Sequence, residues 1–178
     1  MPERSAVYPW AYWITFSCYG TKLHGRTAGS VDRNHNAWRG RYREPGRALR
    51  DFEESEMRHP AVTLSRKERQ VVLTVIRDVC AHEDWFLHAA HVRTNHVHVV
   101  VSARTRPEQV MKKLKAYASR ELNRQFERKP RHWTRHGSTA WIWRPEKVDS
   151  MVDYVVQQQG KPMAVYEKPN RWQDFLAW

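Results

Sequence analysis

Hydrophobic and polar positions alternate with a period of two in some stretches of this chain and recur every three to four residues in others. Alternation predicts β-strands, since successive side chains of a strand point to opposite faces of its sheet, whereas the longer period predicts amphipathic helices. Four stretches are rich in β-branched and aromatic residues, as strands are. They span residues 12–19, 85–91, 95–102 and 139–143. The short segment 92–94 between the second and third predicts a β-hairpin.

Three further stretches have the helical period. The first, 65–83, begins with Ser65 and Glu68 in the spacing of a capping box, in which hydroxyl and carboxylate pair with free backbone amides. The second begins at a proline and carries an apolar stripe over 107–122. The third spans 146–159 and is followed by glycine and proline, which end helices.

The order of these elements is strand, helix, strand, strand, helix, strand, with one helix appended. This is the split βαβ arrangement of α+β ferredoxin-like domains, in which two helices cover one face of an antiparallel sheet. We expect the other face to remain open for function. A length of 178 residues suits one domain, and we predict a single domain over 1–178. Its core spans about 12–160, with a long basic loop at about 22–60 and a C-terminal tail at 161–178.

The net charge of the chain indicates which kind of molecule it binds. Lys and Arg total 31 against 19 Asp and Glu, which gives a formal net charge of +12 and a pI near 10.1. Such a charge favours a polyanionic partner. Nine Trp and seven Tyr accompany the cations, as single-stranded nucleic acid requires, because cations follow phosphates while rings stack on unpaired bases. A basic protein with aromatic core residues has the same composition, so composition alone leaves both interpretations open.

Cysteine content and hydropathy bear on the compartment. Cys18 and Cys80 lie far apart inside apolar runs, which excludes a disulfide framework and a cysteine-based zinc site and suits a reducing compartment. Residues 1–5 contain no apolar segment of a signal peptide, and no run approaches the length of a membrane span. We therefore expect a soluble, cytoplasmic protein with no membrane partner.

Candidate contacts to nucleic-acid phosphates lie in the second predicted helix and in the long loop. A single lysine or arginine is usually a solvated charge, so this inference rests on the group rather than on any one member. The candidates are Lys112, Lys115 and Arg120 in the helix and Arg26 and Arg33 in the loop, with Trp38 as a ring that stacks on bases. Trp141 and Trp143 are explained either by base stacking or by packing in the core.

Two histidines occupy alternate positions of the third predicted strand. His96 and His98 therefore share one face, while the valines between and after them point into the core. Neutral imidazole is the commonest protein ligand for metals, and two imidazoles on one strand face can share an ion. A lone His-x-His in a basic protein is more often two half-exposed residues, so the metal interpretation depends on what else lies nearby.

A tyrosine and a glutamine lie one turn apart on the third predicted helix. Tyr154 and Gln158 fall together on a helical wheel, away from the apolar stripe, which makes both available to a cleft. A surface tyrosine beside a solvated glutamine is the plainer explanation of the same pattern. Tyr117 is the rival candidate for a nucleophile, but it lies on the apolar stripe of its own helix, where a core tyrosine explains it better.

Together these motifs resemble the HUH signature, histidine-hydrophobic-histidine, of the small single-tyrosine transposases. His-Val-Arg-Thr-Asn-His-Val-His-Val-Val-Val at 91–101 is similar to the hairpin of that family, and Trp-Ile-Thr-Phe-Ser-Cys-Tyr-Gly at 13–20 is similar to its first strand. Tyr-x-x-x-Gln at 154–158 resembles its catalytic helix. The three motifs occur in the expected order between Tyr12 and Gly160.

Within the family the chain most resembles the REP-associated type, because the loop after Gly20 is long and the tail continues past the third helix. One departure concerns the metal ligand. In REP-associated members an asparagine often follows the tyrosine, whereas this chain has three glutamines at 157–159. Gln158 is therefore selected by its helical spacing from Tyr154.

The resemblance implies a metal-dependent DNA strand-transferase. Tyr154 is the expected nucleophile and forms a 5′-phosphotyrosine, with His96, His98 and Gln158 holding Mg²⁺ or Mn²⁺. The expected partner is single-stranded or hairpin DNA, which places the protein at the nucleoid when it is bound. Related enzymes can form homodimers in which tyrosine and histidines come from different subunits, so a homodimer is one implied arrangement.

Two other functions fit the same residues. A domesticated DNA-binding module keeps the fold and the hairpin recognition without transposition. A metal-dependent hydrolase uses His96 and His98 to activate water, although the glutamate base that such an enzyme needs is not apparent near the histidines.

Overall fold

Five antiparallel strands form one sheet in the computed structural model, which describes residues 8–21, 52 and 55–178. The strands are β1 (Ala11–Cys18), β2 (Phe86–Val92), β3 (His96–Ser102), β4 (Trp133–Ile142) and β5 (Ala164–Glu167). Their order across the sheet is β4-β1-β3-β2-β5, so β1, β3 and β2 are interior strands while β4 and β5 lie at the edges.

Four helices accompany these strands in the described part of the chain. They are α1 (Arg66–His82), α2 (Pro107–Gln125), α3 (Pro145–Gln157) and α4 (Arg171–Ala177). The predicted capping box begins α1: the Glu68 carboxylate accepts from the Ser65 amide at 2.8 Å, and the Ser65 hydroxyl accepts from the Glu68 amide at 3.3 Å. The element order and the sheet order β4-β1-β3-β2 confirm the predicted ferredoxin-like fold.

The larger core lies between the sheet and the two helices α1 and α2. Alternate residues of β1 and β3, such as Phe16 and Val99, meet Ile76 of α1 and Leu114 of α2, and all four are buried. These positions follow the period of two in the strands and the helical period in the helices. The hydrophobic pattern therefore predicted this half of the molecule correctly.

The sequence had suggested that the opposite face of the sheet is open. This prediction was wrong, because α3 packs on that face. Val148, Val152 and Val155 are buried there against Ala89 and Val100. An apolar stripe on a helix must be covered, and the small side chain of Ala89 lets the helix approach the strands closely. The functional face is thus the part of the sheet that α3 leaves uncovered.

Strand β4 and the tail also differ from the sequence prediction. The fourth strand begins at Trp133, whereas the sequence pattern had predicted a strand only from residue 139. The reason is that β4 is an edge strand in which residues 135–138 are exposed and carry no apolar side chain, so this part shows no apolar alternation. The predicted C-terminal tail at 161–178 forms β5 and α4, and β5 pairs with β2.

The C-terminal helix is attached to α3 by polar contacts. The Arg171 guanidinium pairs with the Asp149 carboxylate, and the Trp172 indole N–H donates to the same carboxylate at 3.0 Å. Phe175 is buried beside the Phe86 ring, with a ring-centroid distance of 5.0 Å. These contacts join the tail to the sheet face that α3 occupies.

Part of the predicted loop is outside the described residues. Residues 22–51 and 53–54 belong to it, and with them the candidates Arg26, Arg33 and Trp38. None of the helices within the described ranges combines the length and the apolar character needed to cross a lipid bilayer. The location of the protein remains a prediction.

Gly137 lies where α2 packs directly on the backbone of β4. A Cβ at this position would lie 2.5 Å from the Thr15 carbonyl oxygen and against the Met111 sulfur. Because a backbone atom cannot move aside cheaply, we expect Gly137→Ala to lower the free energy of unfolding by about 1–3 kcal/mol in urea denaturation. Ser138→Ala, at the exposed next position, is the control and should change stability by less than about 0.5 kcal/mol. Equal stability of both variants would show that β1 and α2 do not pack this closely around Gly137.

Candidate active site

The two histidines of β3 lie side by side on the sheet face that carries α3. His96 is paired with Ser17 and His98 with Thr15 across β1, while Val97 and Val99 face the larger core. The two imidazole centroids are 4.8 Å apart. This arrangement confirms the predicted shared face and is compact enough for both rings to reach one ion.

Hydrogen bonds orient both imidazoles. The Nδ1 atom of His96 lies 2.6 Å from the Asn95 side-chain oxygen, and Nδ1 of His98 lies 2.8 Å from the Thr15 hydroxyl. An amide oxygen only accepts, so Nδ1 of His96 carries the proton, and metal coordination by this ring would use Nε2. The Thr15 hydroxyl can accept in the same way from His98. Partners of this kind hold metal-ligating histidines in position, so the pair fits a divalent ion.

Trp13 connects the histidines to the candidate nucleophile. Its indole stacks on the His98 ring at 6.0 Å with 24° between the planes, and the Tyr154 ring meets the same indole edge-on at 5.5 Å. The His98 and Tyr154 centroids are 6.5 Å apart. Tyr154 remains 36% exposed. The phenol therefore lies beside the histidines and within reach of a substrate.

A buried histidine attaches the helix that carries Tyr154 to the sheet. His91 of β2 is completely buried, its Nδ1 lies 2.9 Å from the Val155 carbonyl oxygen, and the Met163 amide lies 3.3 Å from its Nε2. A carbonyl oxygen accepts and an amide donates, so this ring is neutral with its proton on Nδ1. Burial lowers the pKa of His91 further. Its contact with Val155 fixes the backbone next to Tyr154.

Gln158 follows the end of α3 as its C-cap residue. Its amide donates to the Tyr154 carbonyl oxygen at 3.2 Å, so the predicted spacing of one turn is present, and its side chain is exposed. Within the described ranges no three His, Cys, Asp or Glu side chains gather in a way that could hold a metal. A third protein ligand beside the histidines would therefore be of another type, such as the amide oxygen of Gln158.

Comparison with known proteins gives the family. Residues 56–158, more than half of the 178-residue chain, match the family model described as Transposase IS200 like. The chain belongs to this transposase family. The matched span contains both histidines of β3, Tyr154 and Gln158.

Two solved structures are similar to this transposase in fold. One is described as a REP-associated tyrosine transposase bound to a REP hairpin, with 10% identity over 89% of this chain and 71% of that chain and a TM-score of 0.51. The other is a putative transposase from Deinococcus radiodurans R1, with 14% identity, coverage of 90% and 99%, and a TM-score of 0.45. No curated protein matches the chain.

Tyr117 of the transposase is not a core residue, contrary to the sequence interpretation. Its side chain is 39% exposed and lies under the Arg120 guanidinium, 5.1 Å from the ring centroid. It is placed at the margin of the apolar stripe of α2, where the groove between α1 and α2 opens to solvent. The sheet separates Tyr117 from His98, which argues against a nucleophilic role.

The predicted phosphate contacts on α2 do not form one patch. Lys112 and Lys115 line a cleft between α2 and β4, whereas Arg120 lies on the side towards α1. The Lys115 ammonium donates to the carbonyl oxygens of Thr134 and His136 at 3.0 and 3.1 Å, and burial lowers its pKa to about 8. Lys115 thus contributes to holding β4 on α2, while Lys112 is exposed.

Sequence reasoning missed Thr15, Trp13, Asn95 and His91. The signal for the first two was present, because Trp13 and Thr15 alternate on β1 and share the histidine face once β1 is paired with β3. Asn95 directly precedes His96. No local signal marks His91, since its partners lie 64 and 72 residues further along the chain.

The buried histidines give stability a defined pH dependence. Burial keeps the pKa of His91, and that of His132, below the ordinary value of 6.5. Below that pH the unfolded chain binds protons that the folded chain does not, so the free energy of unfolding should fall as the pH falls. The limiting slope is about 1.4 kcal/mol per pH unit for each histidine. Urea denaturation between pH 7.5 and pH 5.5 measures this slope.

His91→Gln tests how much of the slope comes from this residue. A glutamine amide can donate to Val155 and accept from Met163 without titrating, so the variant should fold with a shallower pH dependence. His82→Gln removes an exposed histidine and is the matched control. An unchanged slope in His91→Gln would contradict a neutral, buried imidazole at this position.

Proposed function

We propose that this transposase cleaves and rejoins single-stranded or hairpin DNA through a covalent bond to Tyr154, with a divalent ion held by His96 and His98. The observation that carries the proposal is the packing of Trp13 against both His98 and Tyr154. Residues from three distant parts of the sequence thereby place an accessible phenol beside a pair of oriented imidazoles. These groups lie within one chain, and a homodimer remains a prediction.

Phosphoryl transfer to tyrosine needs an accessible and fixed phenol. The edge-on contact with Trp13 and the His91 contact to Val155 restrict both the ring and the backbone of this helix. A restricted nucleophile lowers the entropic part of the barrier, because the reacting atoms are already close to the geometry of attack.

The proposed step exchanges one phosphodiester for another. The Tyr154 hydroxyl loses its proton, its oxygen bonds to phosphorus, and the bond from phosphorus to the 3′ oxygen breaks. The departing 3′ oxygen takes up a proton, which leaves a 5′-phosphotyrosine and a free 3′ hydroxyl. A later 3′ hydroxyl reverses these bond changes and joins strands, and no ATP is required.

The donor set supports Mg²⁺ or Mn²⁺ as the cofactor. His96 and His98 would each supply an imidazole nitrogen, and Gln158 an amide oxygen. An ion held by these residues would supply positive charge that stabilises the scissile phosphate during the attack by Tyr154. Asn95 and Thr15 keep the two rings turned so that their Nδ1 atoms are occupied by hydrogen bonds.

Charge and fold support the choice of substrate. The net charge of +12 favours a polyanion, and the REP-associated transposase of similar fold was solved bound to a REP hairpin. Cleavage and rejoining of hairpin or single-stranded DNA is the function that combines this partner with Tyr154 and the histidines.

The decisive experiment is trapping of the covalent complex. Incubation with hairpin DNA bearing a single-stranded flank and Mn²⁺ should give a protein–DNA adduct that survives denaturing electrophoresis. Tyr154→Phe should abolish cleavage and the adduct, because only the attacking oxygen is removed, while DNA binding persists. Tyr117→Phe is a matched control, since both tyrosines are exposed to a similar extent, 39% and 36%, and it should leave both reactions intact.

The other functions give different outcomes in the same assay. Metal-dependent cleavage without an adduct would indicate a hydrolase. Binding without cleavage, with the metal site intact, would indicate a DNA-binding module. Either result would refute the proposed covalent chemistry.

Metal binding should depend on the histidines and on the groups that orient them. His96→Ala and His98→Ala should each abolish Mn²⁺ binding in calorimetric titrations together with DNA cleavage, and Gln158→Ala should give a partial loss. Thr15→Val keeps the side-chain shape but removes the hydroxyl, so Mn²⁺ affinity should fall by about 10- to 100-fold.

The control for these variants is His136→Ala, which removes an exposed histidine of β4 without touching the site. It should bind Mn²⁺ as the unaltered protein does. Full cleavage activity of His98→Ala, or of the unaltered protein in EDTA, would eliminate the metal site.

A further inference from the structure

Two tryptophans are exposed together at the end of β4. The side chains of Trp141 and Trp143 are 42% and 54% exposed, so they do not pack in the core. Their rings stack with centroids 5.6 Å apart and 29° between the planes. The ring of buried Tyr12 meets Trp141 edge-on at 5.3 Å, which holds this ring in place. The pair thus forms an oriented aromatic surface open to solvent.

This surface lies on the sheet face opposite to the candidate active site. Trp141 is paired with Tyr12, which faces the larger core, whereas the neighbouring Trp13 faces His98. Because β4 is an edge strand and adjacent strands are about 4.8 Å apart, the two faces are connected by a short path around β4. A flexible polymer of a few units could extend from one face to the other along this path.

A basic cleft lies along the same face of β4 and reaches Thr139, two positions before Trp141. It lies between β4 and α2, has a volume of about 510 Å³, and includes Lys112, Lys115 and Arg135 against a single carboxylate, Glu108. Glu108 accepts a hydrogen bond from the Thr139 hydroxyl at 3.3 Å. Lys112 and Arg135 are exposed, so this face of β4 presents accessible positive charge as well as two aromatic rings.

We propose that Trp141, Trp143 and this cleft bind a single-stranded DNA segment that flanks the cleavage point. Unpaired bases stack on the two indoles, while phosphates follow Lys112 and Arg135. Paired bases are already stacked in their duplex, so this surface is suited to an unpaired strand. An acidic protein segment would be attracted by the cations, but it does not carry both a ring and a negative charge in every unit, as a nucleic-acid strand does. The proposal rests on the proposed function, because it assigns part of the same DNA substrate.

Binding assays can separate this surface from the chemistry. They are made with Tyr154→Phe protein in EDTA, so that neither cleavage nor metal contributes. Fluorescence anisotropy compares a labelled hairpin bearing a single-stranded flank with the same hairpin without the flank. Trp141→Ala with Trp143→Ala should weaken binding of the flanked hairpin by at least about 5-fold, as expected when base stacking is lost, and leave the unflanked hairpin unchanged.

Two sets of variants control for loss of structure. Trp141→Tyr with Trp143→Tyr keeps aromatic faces and should retain most of the affinity. Leu176→Ala removes an apolar side chain of α4 that is equally exposed, 53%, and should have no effect.

The salt dependence of DNA affinity tests the role of the cations independently of the tryptophan variants. Lys112→Ala and Arg135→Ala should each reduce the slope of log affinity against log salt by about 0.7 for the flanked hairpin. Lys67→Ala, which removes an exposed charge of α1 outside this cleft, should not change the slope.

The outcomes distinguish this proposal from the proposed function. Unchanged flank binding in the double alanine variant, or equal losses for both hairpins, would overturn the assignment of the flank while the covalent chemistry stands. Failure of the unaltered protein to bind hairpin or single-stranded DNA would remove the proposed substrate itself.

Discussion

The antiparallel pairing of β1 with β3 determines which residues can meet at the candidate site. Side chains of a strand alternate between two faces, so a shift of this pairing by one residue would turn both histidines into the larger core. The observed register sets Thr15 opposite His98 and brings Trp13 to the same face. Val97 and Val99 oppose such a shift, because it would remove them from the larger core and put imidazoles there in their place. The hydrophobic core thus determines the position of polar groups that contribute nothing to it.

The position of Tyr154 depends on a second set of contacts, those of α3. Burial of Val148, Val152 and Val155 gives this helix its place on the sheet but little resistance to sliding, since apolar contacts are not directional. Directional contacts supply that resistance. His91 holds the last turn through the Val155 carbonyl oxygen, and α4 holds the first half through Asp149. Tyr154 therefore lies between two points of attachment, as the proposed reaction requires.

The sequence predicted the elements whose signals are local. The capping box of α1, the alternation of His96 and His98, and the single turn between Tyr154 and Gln158 are all patterns within a few residues. They identify the start of α1 and the main chemical groups of the candidate site. The order of strands followed from the order of the elements, because few topologies accommodate it.

What the sequence did not predict depends on contacts between distant segments. Trp13 and His91 acquire their roles only when β1, β2 and α3 are brought together. Residues 134–138 of β4 have no apolar alternation, so the pairing of this segment with β1 is visible only in the folded chain. The exposure of Tyr117 could not be predicted for the same reason. Its position on the apolar stripe of α2 does not indicate whether α1 covers its side chain.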